Sequence, residues 1–306
     1  MTTTRGARAL PPLVLACLLA TWLVWGSTYL AIKFALVSFP PFFQMGTRFL
    51  AAGLVLAAWM RLARSAPWPS GRQWRHAAIT GALMLGGGMG GTALAETTVG
   101  SGLVVAFIAI VPLVIVLFEL AYGLRPTRLQ VTGMALGLAG VLMLTQGQGF
   151  GASPAGLAAI AAACTTWSLG SVLSRHSMPL APGGMGFASQ MLCGGAVLML
   201  LSLAVGERPS WPPQALAASA WAYLVIAGSL VAYNAYLVLL ARVSTALASS
   251  YTFVNPVIAL MLGVVVAGEA VSGWEWASAG VVLAGVVLLL ASAGRRAPPA
   301  AADDSR

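Results

Sequence analysis

The sequence predicts an all-α polytopic membrane protein, ten transmembrane helices arranged as two inverted five-helix repeats. Three observations predict it. The 306 residues are 59% apolar and only 8% charged, whereas about a quarter of a soluble domain is charged. Mean hydropathy is +0.90, and the apolar residues fall in blocks of about twenty, the length of helix that crosses a hydrocarbon core of about 30 Å. These blocks lack the alternation of outer-membrane barrel strands. Finally, the second half of the chain echoes the first at an offset near 142 residues.

Apolar runs broken by Pro, Gly and Arg clusters place helices near Pro12 to Leu36, Pro41 to Leu62, Trp74 to Ala95, Gly100 to Ala121 and Leu129 to Thr145. After Gly147 to Ser153 follow Pro154 to Leu173, Gly183 to Val205, Ala217 to Leu240, Ala246 to Ala267 and Trp274 to Ala293. The domains expected are residues 12–146 and 154–293, one repeat each, with a tail at 294–306. The first block follows Arg5 and Arg8, as in a signal peptide, yet runs through Trp25 and Tyr29 without a small-residue cleavage site and reads as an anchor. The tail, with Pro298, Pro299, Asp303 and Asp304, has too little apolar surface to repay ordering and is expected to be disordered.

Ten spans put both termini on one side, and basic residues concentrate in cytoplasmic loops. With the N-terminus inside, 13 of the 16 basic residues fall in inner segments; Lys33 and Arg208 lie outside and Arg48 lies within the second span. Both termini are therefore expected in the cytoplasm. The net charge of +9 thus reads as topology; without aromatic interleaving the basic loops do not suggest a nucleic-acid partner. Cys17, Cys164 and Cys193 lie in apolar segments, where a thiol behaves as a small hydrophobe, and an odd count is not a disulfide framework. Fifteen Arg against one Lys, with abundant Ala and Gly, suits a GC-rich bacterial genome.

A shift of 142 residues aligns Trp25 with Trp167, Lys33 with Arg175, Pro40 with Pro182, Leu50 with Leu192 and Gly53 with Gly195. A shift of 144 superposes Pro112 on Pro256, and one of 145 superposes Leu138 to Val141 on Leu283 to Val286. The Trp, Pro and cationic matches carry most weight, because identities are common in Ala, Leu and Val-rich segments. Five helices per half is an odd number, so the second half enters the membrane from the opposite side. Inverted repeats are a recurrent design of secondary transporters, with substrate near the midplane and rocking of the halves giving alternating access.

The stretches WGSTYLAIK, PPFFQMGTRFLAAGL, VGSGLVVAFIAIVPL, NPVIALMLGVVVAGE and LAGVVLLL, in that order, resemble the drug/metabolite transporter superfamily, EamA-like branch, from about Leu13 to Ala291. The resemblance implies a ten-helix inner-membrane permease, usually an exporter of small metabolites, amino acids or toxic compounds, with a central cavity between repeats. The fourth helix departs from the family: it ends Tyr122, Gly123, Leu124, Arg125, where members often carry the Gly-Glu pair seen at Gly268 and Glu269.

Several residues could carry the work. Arg48 lies a turn or two inside the second helix, where a charge is costly. It either anchors the carboxylate or phosphate of an anionic substrate through paired guanidinium donors, or snorkels to headgroups. Lys33, near the outer end of the first helix, reads as snorkelling. Glu96 and Glu119 are the carboxylates near helices in the first half; either is a possible proton-coupling group, although both sit at helix ends, and Glu119 could instead pair with a loop Arg. Asn234 and Asn255, flanked by Tyr233, Tyr236 and Tyr251, either glue helices or face a wet cavity. Pro112 and Pro256 suggest matched helix kinks lining that cavity. Trp25 and Trp167 read as opposing aromatic walls of the substrate cavity, and Trp22, Trp59, Trp68, Trp74, Trp211, Trp221, Trp274 and Trp276 as interface anchors. Gly86, Gly87, Gly88, Gly90 and Gly91 read as a smooth packing face rather than a phosphate loop, since no Lys-Ser/Thr follows. His76 and His176, expected in loops, lack metal-site spacing.

The expected function is an inner-membrane secondary transporter exporting a small organic solute, with substrate cavity Trp25, Arg48, Trp167, Tyr233, Asn234, Tyr251 and Asn255. An importer or facilitative permease of the same fold, or a scaffold without flux, are the alternatives. Partners are the small-molecule solute and the lipid bilayer, with the chain a monomer or homodimer; no cofactor, metal, nucleic acid or catalytic residue is expected. On the anchor reading, Arg48→Ala weakens flux of an anionic solute while membrane insertion is intact; unchanged flux at normal expression returns Arg48 to a structural role.

Overall fold

The computed structural model describes residues 10–99, 104, 107–146, 153–267 and 272–293. Its main helices are α1 (Pro12–Leu36), α2 (Pro41–Arg64), α3 (Gly71–Ala95), α4 (Val111–Leu120) and α5 (Arg128–Leu144) in the first half. The second half has α6 (Pro154–His176), α7 (Gly184–Ala204), α8 (Ala215–Arg242), α9 (Tyr251–Ala267) and α10 (Gly273–Ala293). No strand occurs among the described residues, and seven of these helices are long and apolar enough to cross a bilayer.

Local chemistry sets the helix starts. α1, α2, α4 and α6 carry Pro in the first turn, where its missing N–H has no intrahelical partner to lose. α3 and α5 begin with capping boxes, Ser70 with Gln73 and Thr127 with Gln130, which satisfy two orphan backbone donors apiece. Glu207, in the loop before α8, accepts from Phe42 N at 3.0 Å and Phe43 N at 2.7 Å. A carboxylate of the second half thereby caps α2 of the first, where the helix dipole favours it.

Small and polar residues, not hydrophobicity, mark the inward faces. On α1 the buried positions Val14, Leu18, Thr21, Trp25, Thr28, Ile32 and Ala35 recur every three or four residues, while Leu15, Leu19, Leu23 and Leu30 point outward and are exposed. Lipid tails are as apolar as a core, so both faces of a spanning helix are greasy and close packing favours small groups.

The halves are related as a two-fold axis demands, each contact recurring with partners exchanged. A Cβ on Gly53 would lie 3.0 Å from Leu192 Cγ, and one on Gly195 would lie 2.9 Å from Leu50 Cγ. A Cβ on Gly133 would lie 2.9 Å from the Gly285 carbonyl oxygen, and one on Gly140 would lie 3.0 Å from that of Ser278. Thus α2 packs on its own equivalent α7 and α5 on its equivalent α10. Likewise α1 packs on α8 and α9, as α6 packs on α3 and α4. Since five helices reverse direction, the second repeat runs inverted.

Three features differ from expectation. The fourth and ninth segments are not continuous helices: turns at Ala109–Ile110 and Ser249–Ser250 interrupt them, the latter after a one-turn helix, Thr245–Ala248. Pro112 consequently sits in the first turn of α4 rather than kinking a helix, whereas Pro256 lies inside α9. α3 and α8 both contain π-helical stretches, Ala82–Gly90 and Leu224–Tyr233, whose first residues are 142 positions apart. Nothing in the apolar pattern announces a π turn, which leaves one extra residue in the hydrogen-bonded loop. The start of the expected fourth span, Glu269 and the tail lie outside the described residues.

At Gly140 a methyl would meet backbone, Val282 N at 2.7 Å, while Gly280 of α10 has nothing within 4 Å. Gly140→Ala is therefore expected to lower the thermal unfolding midpoint in detergent, by the roughly 1–3 kcal/mol of overpacking. Gly280→Ala should leave it unchanged or raise it, since Ala is the better helix former.

Candidate functional site

Trp25 and Trp167, mates in the repeat, sit near the middle of α1 and α6. Their rings meet edge to face with centroids 5.8 Å apart. They are adjoining parts of one cluster, not opposing walls. Tyr236 packs 5.4 Å from Trp25 and 5.2 Å from Trp167, Tyr251 lies 4.5 Å from Trp25, and Tyr233 lies 6.3 Å from Trp167. Edge-to-face contacts of this kind match ring quadrupoles and add to the burial they accompany. Each Trp leans on the π segment of the other half. Trp25 Nε1 donates to Gly228 O at 3.1 Å, and a Cβ on Gly88 would lie 3.0 Å from the Trp167 ring. The glycines of α3 thus let α6 approach, as a packing face should.

Beside this cluster lies a cavity of about 60 Å3, room for a few waters at roughly 10–15 Å3 each. Trp25, Thr28, Tyr29 and Ile32 of α1, Trp167 and Cys164 of α6, and Tyr251 and Asn255 of α9 line it, with Met45 of α2 and Gly88, Met89 and Thr92 of α3. Ile108 and Val111 flank the break before α4 and also line it, so both interrupted segments contribute. Tyr29 interacts with Asn255, yet neither amide atom of Asn255, 2% exposed, attains a hydrogen bond of normal geometry. In apolar surroundings an unsatisfied amide costs a few kcal/mol, roughly 1–3 by mutational measure, which a water or a ligand in the cavity would relieve.

The two ends of the bundle differ. Where α1 begins and α6 ends, the interior is tied shut. Ser171 and Tyr236 hydroxyls bond at 2.9 Å; Arg175 Nη1 donates to the carbonyls of Leu240, at 2.7 Å, and Val243. Glu119 accepts from Thr245 Oγ1 and lies 3.5 Å from His176 Nε2, while Tyr122 stacks on the His176 ring at 4.9 Å. At the other end Lys33, the mate of Arg175, is exposed and is an electrostatic neighbour of Glu96. Glu96 there is half-buried, and its Oε2 has no partner.

Of the residues singled out from sequence, the structure brings Trp25, Trp167, Tyr251 and Asn255 to the cavity. Tyr233 joins the aromatic cluster but not the lining: it is fully buried and donates to Gln190 Oε1 at 2.8 Å. Asn234 donates to Leu230 O at 2.7 Å and Ser229 O at 3.3 Å, satisfying carbonyls of the π segment on its own helix. Arg48 is fully buried and does not snorkel, but lies behind the lining. Glu119 pairs with Thr245 and His176 rather than a loop Arg. His76 lies in α3, bonded to Pro179 O at 2.9 Å, and His176 ends α6; neither is in a loop. Trp22 and Trp221 donate to Ser250 Oγ at 3.0 Å and Thr47 Oγ1 at 3.1 Å.

Sequence reasoning missed Thr28, Tyr29, Ile32 and Met45. A signal existed for three of them: with Trp25 they stand at i, i+3, i+4 and i+7, one face of α1.

Comparisons with known proteins agree with this architecture. The profile of the EamA-like transporter family matches residues 12–146 and again 154–291. The inner membrane transporter YedA of Escherichia coli K12 is 40% identical over 284 residues, 92% of each chain. Protein PecM of Dickeya dadantii is 28% identical over 274 residues, 88% of this chain and 87% of PecM. A protein of known crystal structure, 26% identical, superposes with a TM-score of 0.75 over 92% of this chain and 98% of its own. With two family matches that together span nearly the whole chain, and a relative of such identity over the same length, the chain belongs to the EamA-like transporter family.

Proposed function

We propose that the protein exports a small organic solute across a bacterial inner membrane by alternating access, as two domains, 12–146 and 154–293, rock about the Trp25–Trp167 contact. The cavity between the repeats is the solute chamber, with Trp25, Trp167, Tyr251 and Asn255 as contact residues and Tyr233 and Asn234 supporting them. The carrying observation is the unsatisfied Asn255 amide inside a cavity that both interrupted helices line, the setting in which transporters of inverted-repeat design hold substrate. The two ends are tied by different groups, which supports a two-state cycle: at one end Arg175 bonds the carbonyls of Leu240 and Val243, while at the other its mate Lys33 is exposed and the halves are joined through Glu207 and Ser38. Basic-residue bias supports both termini in the cytoplasm; the chain acts as a monomer or homodimer without catalytic chemistry.

The test is a solute screen. Cells with and without the protein are compared for export and resistance across amino acids, nucleobases and toxic analogues. The expected result is lower accumulation of one solute class, with Asn255→Ala and Trp167→Ala each reducing that flux tenfold or more at unchanged membrane abundance. No solute moved, or variants equal to wild type, rejects the chamber.

Proton coupling is better served by Glu96 than by Glu119, because the Glu96 Oε2 accepts no hydrogen bond and has Lys33 as its electrostatic neighbour, while Glu119 is held by Thr245 and His176. Glu96→Gln is expected to flatten the pH profile of export, whereas Glu119→Gln should lower flux at every pH without flattening it; identical profiles for Glu96→Gln and wild type exclude Glu96. A C-terminal green fluorescent protein fusion should fluoresce and an alkaline phosphatase fusion should be inactive; the reverse pattern overturns the topology.

A further inference from the structure

Arg48 is fully buried, and among the described residues no carboxylate comes within salt-bridge distance of it. Its guanidinium has five N–H donors. Nε donates to Ser229 Oγ at 2.7 Å, Nη1 faces Met45 Sδ at 3.6 Å, and Nη2 has no partner. The Phe49 ring lies 4.9 Å from the guanidinium carbon. An uncompensated buried charge costs several kcal/mol, and nothing in the surrounding protein neutralises this one.

The site is built to hold the charge next to the chamber. A Cβ at Gly228 would lie 2.6 Å from Nη2 and 3.4 Å from Thr28 Cγ2, so glycine in the π segment of α8 makes room for the guanidinium close to a lining residue. Met45, which lines the chamber, stands between it and Nη1. A thioether is a weak acceptor and flexible, so it is readily displaced by a charged oxygen. The second repeat lacks this arrangement. The position 142 residues on is Gln190, a neutral amide already engaged by Thr80 Oγ1 at 2.7 Å and Tyr233 Oη at 2.8 Å.

Resting on the chamber as the solute path, we propose that Arg48 is an anion subsite with Met45 as its shutter. The transported solute is a monoanion, an apolar or aromatic body carrying one carboxylate, and not a zwitterion or a cation. The body lies against Trp25, Trp167 and Tyr251; the carboxylate displaces the Met45 sulfur and takes paired hydrogen bonds from Nη1 and Nη2, the geometry in which guanidinium binds carboxylate best. No carboxylate lines the chamber to receive an ammonium group; Glu96, an electrostatic neighbour of Tyr29, stands outside the lining and has Lys33 as its own cation.

Binding is tested on the full-length protein in non-ionic detergent by thermal unfolding, in a dilute zwitterionic buffer free of chloride and of carboxylates, so that no flux is required. Four probes of one size class are compared: benzoate, benzamide, benzylamine and phenylalanine. Benzoate is expected to raise the unfolding midpoint saturably, the others to do so at least tenfold more weakly. Arg48→Gln should weaken benzoate binding tenfold or more, and Met45→Ala, which opens the shutter, should tighten it severalfold and stands as the readout if Arg48→Gln fails to fold. Equal shifts with benzamide, benzylamine or phenylalanine, an undiminished benzoate shift in Arg48→Gln, or no change in Met45→Ala each overturns the proposal. A full shift from chloride alone, to which benzoate adds nothing, makes the subsite one for an inorganic ion and also overturns it. Failure here with a neutral solute still exported leaves the chamber standing; Arg48-dependent binding without any flux strikes the transport reading instead.

Discussion

Every polar group at membrane depth must find a protein partner or a wet space, and this constraint organises the molecule. Most groups here obey it locally. Thr21, Thr28, Ser168 and Ser171 bond back to the carbonyls of Leu18, Trp25, Cys164 and Trp167 one turn earlier, and Asn234 does the same for its π segment. Some buried polar atoms do not, and two of these unmet groups, the Asn255 amide and the Nη2 of Arg48, lie at or beside the space between the repeats.

The inverted repeat supplies the scaffold, and divergence between its copies supplies chemistry. Glycine-mediated contacts are preserved in both directions, Gly53 with Leu192 and Gly195 with Leu50, because close helix approach tolerates no added methyl. Polar mates keep less of their role. Arg48 has a neutral Gln190 as its counterpart, and the cationic pair Lys33 and Arg175 is kept in charge but differs in setting, exposed in one half and bonded to Leu240 and Val243 carbonyls in the other. Symmetry thus holds most strictly where close packing dictates residue type.

The spans, the repeat and the family resemblance were legible because each is written over many residues. α1 was placed from Pro12 to Leu36, and α2 from its Pro-Pro start, since Pro and apolar length are strong local signals. Trp25, Trp167, Tyr251 and Asn255 stood out as the rare polar-aromatic positions deep in apolar runs. What stayed hidden depends on three-dimensional neighbours. The breaks at Ala109–Ile110 and Ser249–Ser250 carry no Pro or charge of their own, and the glycines at 228 and 88 acquire meaning only from Arg48 and Trp167 lying against them. Met45 looked like one more apolar residue until its sulfur was found facing a guanidinium.

The paired π stretches carry a mechanical consequence. The surplus residue in such a stretch is a dislocation: remaking one hydrogen bond moves it along the rod by a step, while both ends of the rod keep their anchorage. As it passes, the side chains it crosses swing to a new azimuth. α3 and α8 hold one such defect each, against Trp167 and Trp25 respectively. A step of that kind would change the backbone on which Trp167 and Trp25 lean, while the glycine seams of α2 with α7 and of α5 with α10 stay packed.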